Sequence, residues 1–374
     1  MMGTITYRPP GNHPGPRQLI SLFADGPLGL ELGGHLGDVT VSYESWGTPQ
    51  PDRANAVLVE HALTDDSHVA SNASPATAAP GWWEGMVGPG LPIDTNRWWV
   101  LCPNVLGGCL GTTGPSSLAR DGRPWGSRFP TVTVRDQVAV EVALADSLGV
   151  ARWAAVIGAS FGGMRALEWA VMHPERAARL VVLGTTAQAS AEQVALSAVQ
   201  ALAIRSDPRF AGGDYYGPPG LGPKAGLGLA WRLGHIASRS EAELAHRFGR
   251  RAQASEDPFG AGRYAVEGYL DDEAEKFVTR FDANSYLVLS RAMAHHDLGR
   301  GRGGLAAALA SVRASTTLAS IDSDRLYPAH QQQQLAEFLP GPPTVDVVRS
   351  PYGHDAFRIE TEQVGKIISA ALDN

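Results

Sequence analysis

A serine between two glycines, where an apolar run meets a run of helix formers, is the residue of this chain best placed to do chemistry. Gly158-Ala159-Ser160-Phe161-Gly162 follows a β-branched run and passes directly into Met164-Arg165-Ala166-Leu167-Glu168-Trp169-Ala170. A strand, a tight turn carrying a serine and then a helix make a nucleophile elbow, in which the glycines let strand and helix approach closely. This context predicts that Ser160 is a nucleophile; the alternative is a turn serine without chemistry.

A serine hydroxyl near neutral pH is a poor nucleophile, so this prediction requires a histidine base and an acid that orients it. With such an elbow, the acid and then the base follow the serine along the chain. His354 lies between the last strand-like run and the terminal helix, which favours it over His330, at the start of a glutamine-rich helical stretch. The acid should leave the end of the strand predicted at 316–321. Asp322 and Asp324 both stand there, and spacing alone does not choose between them, since one could cap the next helix.

Acyl transfer also needs hydrogen-bond donors for the developing oxyanion. The helix start behind Ser160 offers the N–H of Phe161, and the loop His61-Ala62-Leu63-Thr64-Asp65-Asp66-Ser67-His68 offers the N–H of Leu63. We expect these two groups to face each other across the reacting carbon. The two histidines of the loop look like metal ligands, but no cysteine or carboxylate cluster completes a site, so no metal is predicted.

The elements that must position these groups alternate between strands and helices in the first half of the chain. Buried strands are predicted at 55–61, 98–102, 153–159 and 178–183, and a helix at 134–148. Such alternation indicates right-handed crossovers and a mostly parallel sheet.

The alternation stops from about Gln188 to Leu298, where the pattern is helical and a Gly-Pro-rich segment at 215–220 breaks it. Helices are predicted there at 191–204, 225–237, 240–250, 273–281 and 285–294. Strand signals return at 316–321 and 344–348, and a helix over 361–372 closes the chain. We therefore predict an α/β core in two parts, residues 1–187 and 299–374. A helical lid insertion, residues 188–298, would cover the sheet edge that carries the elbow.

The composition limits the class of protein. The 374 residues carry a formal net charge of −7, which argues against nucleic acid or an anionic membrane as a main partner. No apolar run approaches the roughly 18 residues of a transmembrane helix. The chain through Pro14 lacks the apolar region of a signal peptide, and its two cysteines cannot make a disulfide framework. These features predict a cytoplasmic protein.

Motifs spread from about Leu30 to Ile368 resemble those of the homoserine O-acetyltransferases. They are the 61–68 loop, Asn104-Val105-Leu106-Gly107-Gly108-Cys109 with Gly114-Pro115-Ser116-Ser117, Trp125-Gly126-Ser127-Arg128-Phe129-Pro130, Arg135-Asp136-Gln137, the elbow and its helix, Arg280-Phe281-Asp282-Ala283, the segment 296–304, Ser323-Asp324 with Leu326-Tyr327-Pro328, and Gly353-His354-Asp355-Ala356-Phe357.

The resemblance implies an α/β-hydrolase fold with an inserted helical lid, and a homodimer formed through the lid helices. It implies transfer of an acetyl group from acetyl-CoA, a co-substrate, to the hydroxyl of L-homoserine in methionine biosynthesis. The route is ping-pong, through an acyl-serine, and needs no cofactor. The resemblance also implies that Asp324 is the acid of the triad and that Asp355 binds the α-ammonium group of the acceptor.

The chain departs from the family pattern on the acceptor side. Trp231 stands where the family has an arginine for the acceptor carboxylate, and Ser238 stands in place of a tyrosine. This chain also has Asp65, Phe161 and Ala237 where the family has a glycine, a methionine and a threonine. Arg232 lies about 100° further round a helix and cannot simply substitute without repacking.

We expect Trp231, Arg232 and Asp355 at the acceptor site. If homoserine is the acceptor, Arg232 or Arg165 is the next candidate for its carboxylate. Three alternatives stay open: another acceptor, such as serine or a secondary-metabolite alcohol, a succinyl donor, and a serine hydrolase or esterase.

Overall fold

The computed structural model describes residues 17–71, 80–217 and 222–373. The start of the chain through Pro14, where no signal peptide is predicted, lies outside the described residues. So do residues 218–220 of the Gly-Pro-rich segment. In the three described ranges, no helix has both the length and the apolar character needed to cross a membrane.

An eight-stranded sheet lies at the centre of the molecule. Its strands are β1 (Gln18–Leu22), β2 (Val39–Trp46), β3 (Ala56–Glu60), β4 (Trp99–Pro103), β5 (Ala155–Ala159), β6 (Arg179–Leu183), β7 (Ser315–Ile321) and β8 (Val345–Val348). Their spatial order is β1-β2-β4-β3-β5-β6-β7-β8. Strand β2 is antiparallel to both β1 and β4, and the other pairs are parallel. The prediction of a mostly parallel sheet is confirmed.

Burial explains which strands the sequence reveals. Every residue of β3, β4 and β5 is buried, as expected for central parallel strands covered on both faces, and these strands read as continuous apolar runs. Strand β1 is largely exposed at the edge of the sheet, with Leu19 66% exposed, so it carries no such run. Strand β2 is mostly buried, but polar residues such as Ser42 and Glu44 interrupt its apolar run. The sequence analysis predicts neither β1 nor β2.

The helices are α1 (Val134–Ser147), α2 (Phe161–Met172), α3 (Ala191–Arg205), α4 (Lys224–Ser238), α5 (Glu241–Arg247), α6 (Ala265–Arg280), α7 (Ala283–Ala294), α8 (Leu305–Ala310), α9 (Ala329–Phe338), α10 (Ala356–Ile359) and α11 (Thr361–Asp373). Leu144 of α1 and Leu167 of α2 are buried in one apolar cluster against the sheet. Ile368 of α11 is buried in a second cluster that contains Val59 and Ile157. The core therefore consists of apolar layers that hold α1, α2 and α11 on the sheet.

Helices α3 to α7 form the block between β6 and β7. Gln188 and Asp297 form an antiparallel bridge, and the Gln188 side chain donates a hydrogen bond of 2.9 Å to the Asp297 carboxylate. The two ends of the helical block therefore lie side by side, and we call this bridged pair, Gln188 and Asp297, the neck.

One lid helix starts earlier than predicted. Helix α6 begins at Ala265 rather than near Glu273. The cause is the Glu267 carboxylate, which accepts the Tyr264 N–H at 2.7 Å and so satisfies a backbone donor that would otherwise lack a partner.

Candidate active site

Ser160 lies in a strained turn directly between β5 and α2. Its φ of 56° and ψ of −126° place a non-glycine residue in a conformation that costs on the order of 1–3 kcal/mol. A Cβ at Gly158 would overlap the backbone of Gly162, and a Cβ at Gly162 would overlap the carbonyl oxygen of Glu60 at the end of β3. The close packing of strand, turn and helix therefore imposes the turn and requires both glycines.

The imidazole of His354 is bonded to a carboxylate at the end of β7. His354 Nδ1 lies 2.6 Å from Asp324 Oδ2. The other oxygen of Asp324 accepts the N–H groups of Leu326 at 2.8 Å and Tyr327 at 2.9 Å, so this carboxylate is fixed in place. The second nitrogen, His354 Nε2, is buried and has no hydrogen-bond partner among the described residues.

The structure distinguishes the two candidate acids. Asp322 is exposed, and its carboxylate accepts the N–H of Ser350 at 3.0 Å instead of contacting the imidazole. The Asp324 side chain is fully buried against His354. Asp324 therefore has the geometry that the acid requires.

Ser160 and His354 line the same cavity, together with Tyr327. The Tyr327 ring centroid lies 5.0 Å from that of His354, and burial raises the pKa of the phenol, which therefore stays a neutral O–H donor near neutral pH. The sequence analysis does not single out Tyr327, although it stands in the same motif as Asp324.

The two predicted oxyanion donors lie on neighbouring elements. Phe161 is the first residue of α2, and Leu63 lines the cavity from the loop after β3. Among the described residues, neither N–H group donates a hydrogen bond. Both N–H groups therefore lack a protein acceptor, as the predicted oxyanion hole requires.

Arg165 is buried behind these two elements and does not reach the cavity. Its Nη1 lies 3.1 Å from both the Glu60 and the Glu141 carboxylates. Its Nη2 donates to the carbonyl oxygen of His61 at 2.6 Å. The suggestion that Arg165 binds a substrate carboxylate is wrong, because this guanidinium is fully enclosed and paired.

The two histidines of the 61–68 loop make structural contacts. His61 Nδ1 donates to the Ala62 carbonyl at 2.7 Å, and its Nε2 accepts the Val105 N–H at 3.1 Å. Burial, with a smaller effect of Arg165, lowers the pKa of His61 to about 3. His68 Nδ1 lies 2.8 Å from the Glu44 carboxylate. Within the described ranges, no group of three His, Cys, Asp or Glu side chains is arranged to hold a metal ion.

The cavity lies between the lid and the edge of the sheet that carries Ser160, and its volume is about 270 Å³. Trp231 lines it from α4 and stacks on Phe277 of α6, with ring centroids 4.1 Å apart. Ser238 and Asp355 also line it. The expectation that Arg232 lies at the acceptor site is wrong. The turn of α4 directs Arg232 away from the cavity, where its Nη2 lies 2.6 Å from the Asp271 carboxylate.

Comparison with known proteins identifies the family. The alpha/beta hydrolase fold family matches residues 55–360. The homoserine O-acetyltransferase of Thermobifida fusca (strain YX) is 54% identical over 362 residues, which are 97% of this chain and 95% of that protein. This chain belongs to the homoserine O-acetyltransferase family. The predicted resemblance and fold class are confirmed.

Two solved structures show how far this family fold is shared. The crystal structure of homoserine O-acetyltransferase from Bacillus anthracis superimposes with a TM-score of 0.89 at 27% identity, covering 96% of this chain and 97% of that one. The crystal structure of esterase E22 gives a TM-score of 0.86, also at 27% identity, with 95% and 99% covered. The homoserine O-acetyltransferase fold is thus also that of a protein named as an esterase.

Among the described residues of this homoserine O-acetyltransferase family member, three arginines line the cavity, and sequence reasoning missed all three as cavity residues. Arg239 Nη2 lies 3.2 Å from Asp355 Oδ2. Arg358 Nη2 lies 2.8 Å from the Asp65 carboxylate. Arg280 donates to the Thr64 carbonyl at 2.7 Å. The only sequence signal for Arg239 is its place directly after Ser238, a position where the chain departs from the family.

Proposed function

We propose that this chain transfers an acetyl group from acetyl-CoA to the hydroxyl of L-homoserine through an acetyl-Ser160 intermediate. The observation that carries the proposal is the bonded pair of His354 and Asp324, with the unpartnered Nε2 of His354 in the cavity that Ser160 lines. The name of the Thermobifida fusca relative supports homoserine as the acceptor.

In the first half-reaction, Ser160 Oγ attacks the thioester carbonyl while His354 Nε2 takes the hydroxyl proton. The tetrahedral oxyanion accepts hydrogen bonds from the N–H groups of Leu63 and Phe161. When the carbon–sulfur bond breaks, the imidazolium gives its proton to the departing thiolate. Asp324 keeps Nδ1 protonated and stabilises the imidazolium throughout.

The second half-reaction uses the same groups in reverse. His354 Nε2 takes the proton of the acceptor hydroxyl, whose oxygen attacks the acetyl carbonyl. Ser160 Oγ then leaves and recovers the proton. The side chains and N–H groups of this chain supply each proton transfer and each oxyanion contact, so the proposed route uses acetyl-CoA as co-substrate without a cofactor.

A serine hydrolase is the second candidate, because esterase E22 shares the fold and a triad of this type also serves hydrolysis. The lid favours transfer. Side chains from α3, α4, α6 and α7 line the cavity over Ser160, which limits the access of water to an acyl-enzyme.

Thiol release separates these candidates. Acetyl-CoA alone should give a burst of about one equivalent of thiol and an acetyl adduct on the peptide that contains Ser160. Adding homoserine should give steady release and O-acetylhomoserine, with parallel double-reciprocal lines. Ser160→Ala should give no burst. Steady release without an acceptor would instead indicate a hydrolase, and parallel assays with succinyl-CoA and with serine test the other donor and acceptor.

We also propose that the chain forms a homodimer through its lid helices. Helix α3 exposes Val199 and Leu202, at 51% and 64%, and α4 exposes Leu229 at 49%. Exposed apolar side chains on two helices that pack on each other favour a protein partner, and a second copy of this chain would bury them symmetrically. Sedimentation should show a dimer, and Leu202→Glu should shift it towards monomer; a monomeric parent would contradict the proposal.

For the compartment we propose the cytoplasm. Cys102 and Cys109 are both buried free thiols, which suits a reducing environment. Burial also raises the pKa of Cys109 to about 12, so this thiol stays protonated and unreactive. Localising a fluorescent fusion of the chain would test the proposal.

A further inference from the structure

One carboxylate–guanidinium pair lies on the cavity wall beside the catalytic base. Arg239 follows the last residue of α4, and its Nη2 lies 3.2 Å from Asp355 Oδ2. The two side chains are 14% and 18% exposed, and both line the cavity. A ligand that carries both an ammonium and a carboxylate is the charge complement of such a pair.

We propose that Arg239 binds the carboxylate of the amino-acid acceptor while Asp355 binds its ammonium. This inference rests on the proposed function and makes Arg239 a specificity-determining residue. The zwitterion would lie against the existing ion pair, so each charge of the ligand would meet an opposite charge that is already partly desolvated.

The proposed ammonium site at Asp355 lies close to the proposed catalytic base, His354. Asp355 directly follows His354, so the two Cα atoms are about 3.8 Å apart. Because both side chains also line one cavity, a short molecule can place its hydroxyl at His354 Nε2 and its ammonium at Asp355. Homoserine, with two methylene groups between its hydroxyl and its Cα, is of this size.

Arg239 also has donor capacity left for a ligand. Its Nη1 lies 3.3 Å from the Glu243 carboxylate and its Nη2 faces Asp355. Its Nε is buried and has no hydrogen-bond partner among the described residues. A guanidinium carries five N–H donors, so it can donate to a ligand carboxylate without giving up both protein partners.

The other two cavity arginines are less suited to this role. Arg358 Nη2 donates to the Asp65 carboxylate at 2.8 Å, and among the described residues Arg358 forms no ion pair with Asp355. Arg280 is exposed, donates to the Thr64 carbonyl and lies over the Phe277 ring at 5.3 Å. In the described part of the chain, Arg239 is the cavity arginine within ion-pair distance of Asp355.

The test compares homoserine with an acceptor that lacks its carboxylate. The parent, Arg239→Met and Arg247→Met are assayed with homoserine and with 3-aminopropan-1-ol, which is homoserine without its carboxylate. Arg247 is the matched control, because it also pairs with Glu243, at 3.6 Å, but does not line the cavity.

Arg239→Met should lower kcat/KM for homoserine about ten- to a hundredfold, as expected for loss of a hydrogen-bonded charge. It should leave kcat/KM for 3-aminopropan-1-ol and the thiol burst from acetyl-CoA close to the parent values. Arg247→Met should leave all three close to the parent. Asp355→Asn should lower kcat/KM for both acceptors.

Two outcomes would overturn the inference. Equal losses on homoserine and 3-aminopropan-1-ol would mean that Arg239 only positions Asp355, and an unchanged homoserine kcat/KM would mean that another group binds the carboxylate. If the parent forms the acetyl-enzyme but does not acetylate homoserine, the proposed function fails instead. Should Arg239→Met not fold, Arg239→Lys provides the same test, because it keeps the charge beside Glu243 but loses the planar fork.

Discussion

Arg165 Nη2 donates a hydrogen bond to the carbonyl oxygen of His61, and this contact joins the elbow helix to the loop that carries Leu63. The same guanidinium lies between the carboxylates of Glu60 and Glu141. The two proposed oxyanion donors thus stand on separate elements that one buried cation holds together.

Replacing Arg165 should therefore affect both stability and rate. Arg165→Met leaves two buried carboxylates without their cation, and we expect the free energy of unfolding to fall by about 3–5 kcal/mol. We also expect kcat to fall because the donors lose their alignment. Arg97→Met is the control, since its pair with Asp373 is more than half exposed and worth at most about 1 kcal/mol. Equal losses in urea unfolding of the two variants would refute this role for Arg165.

Ser160 and His354 should act as one catalytic unit. Ser160→Ala and His354→Ala should each reduce kcat by roughly 10⁴-fold or more, and the double variant should lose little beyond either single one. Steady-state assays of the three variants test this, and losses that multiply would contradict it.

The two aspartates after β7 should differ sharply. Asp324→Asn removes the carboxylate that holds His354 Nδ1, so kcat should fall by roughly 10⁴-fold. Asp322→Asn keeps an oxygen that accepts the Ser350 N–H, so kcat should change by no more than about twofold. Comparable effects of the two substitutions would place the acid elsewhere.

The elbow should tolerate no side chain at position 162. Gly162→Ala places a methyl group against the Glu60 carbonyl, so the free energy of unfolding should fall by about 3 kcal/mol or more. Gly26→Ala is the control, because its added methyl group meets no atom within 4 Å and should change stability by less than about 0.5 kcal/mol. Urea unfolding of both variants measures the difference.

Buried His61 should make the protein sensitive to acid. Its pKa of about 3 lies below that of an unfolded histidine, so as the pH falls the unfolded chain binds the proton first. This contribution is fully present above about pH 6.5 and is lost between there and about pH 3. His61→Gln should therefore reduce the stability difference between about pH 7.5 and about pH 5 by about 2 kcal/mol. An unchanged difference, measured by urea unfolding at each pH, would exclude His61 as the source.

The sequence predicts the central strands and the turn at Ser160 for local physical reasons. Strands β3 and β5 are continuous apolar runs because both of their faces are buried, and the elbow requires two glycines at fixed distances from Ser160. Local patterns do not reveal long-range pairings. Edge strand β1 is short and exposed, and the choice between Asp322 and Asp324 depends on which carboxylate meets an imidazole thirty residues away.

The acceptor side shows the same limit. The helical period correctly separates Arg232 from Trp231 by about 100°, but it does not reveal that Asp271 takes the Arg232 guanidinium. Nor does it bring Arg239 to Asp355, because that pair joins the end of α4 to the loop after β8.

The neck between Gln188 and Asp297 has an evolutionary consequence. The whole helical block begins and ends at neighbouring residues, so it can change in sequence, or be exchanged for the block of a relative, without breaking any strand pairing. Trp231, Ser238 and Arg239 lie within the exchangeable block, whereas Ser160, Asp324 and His354 lie outside it. Under the proposed function, selection can therefore change which alcohol is acylated while Ser160, Asp324 and His354 stay as they are.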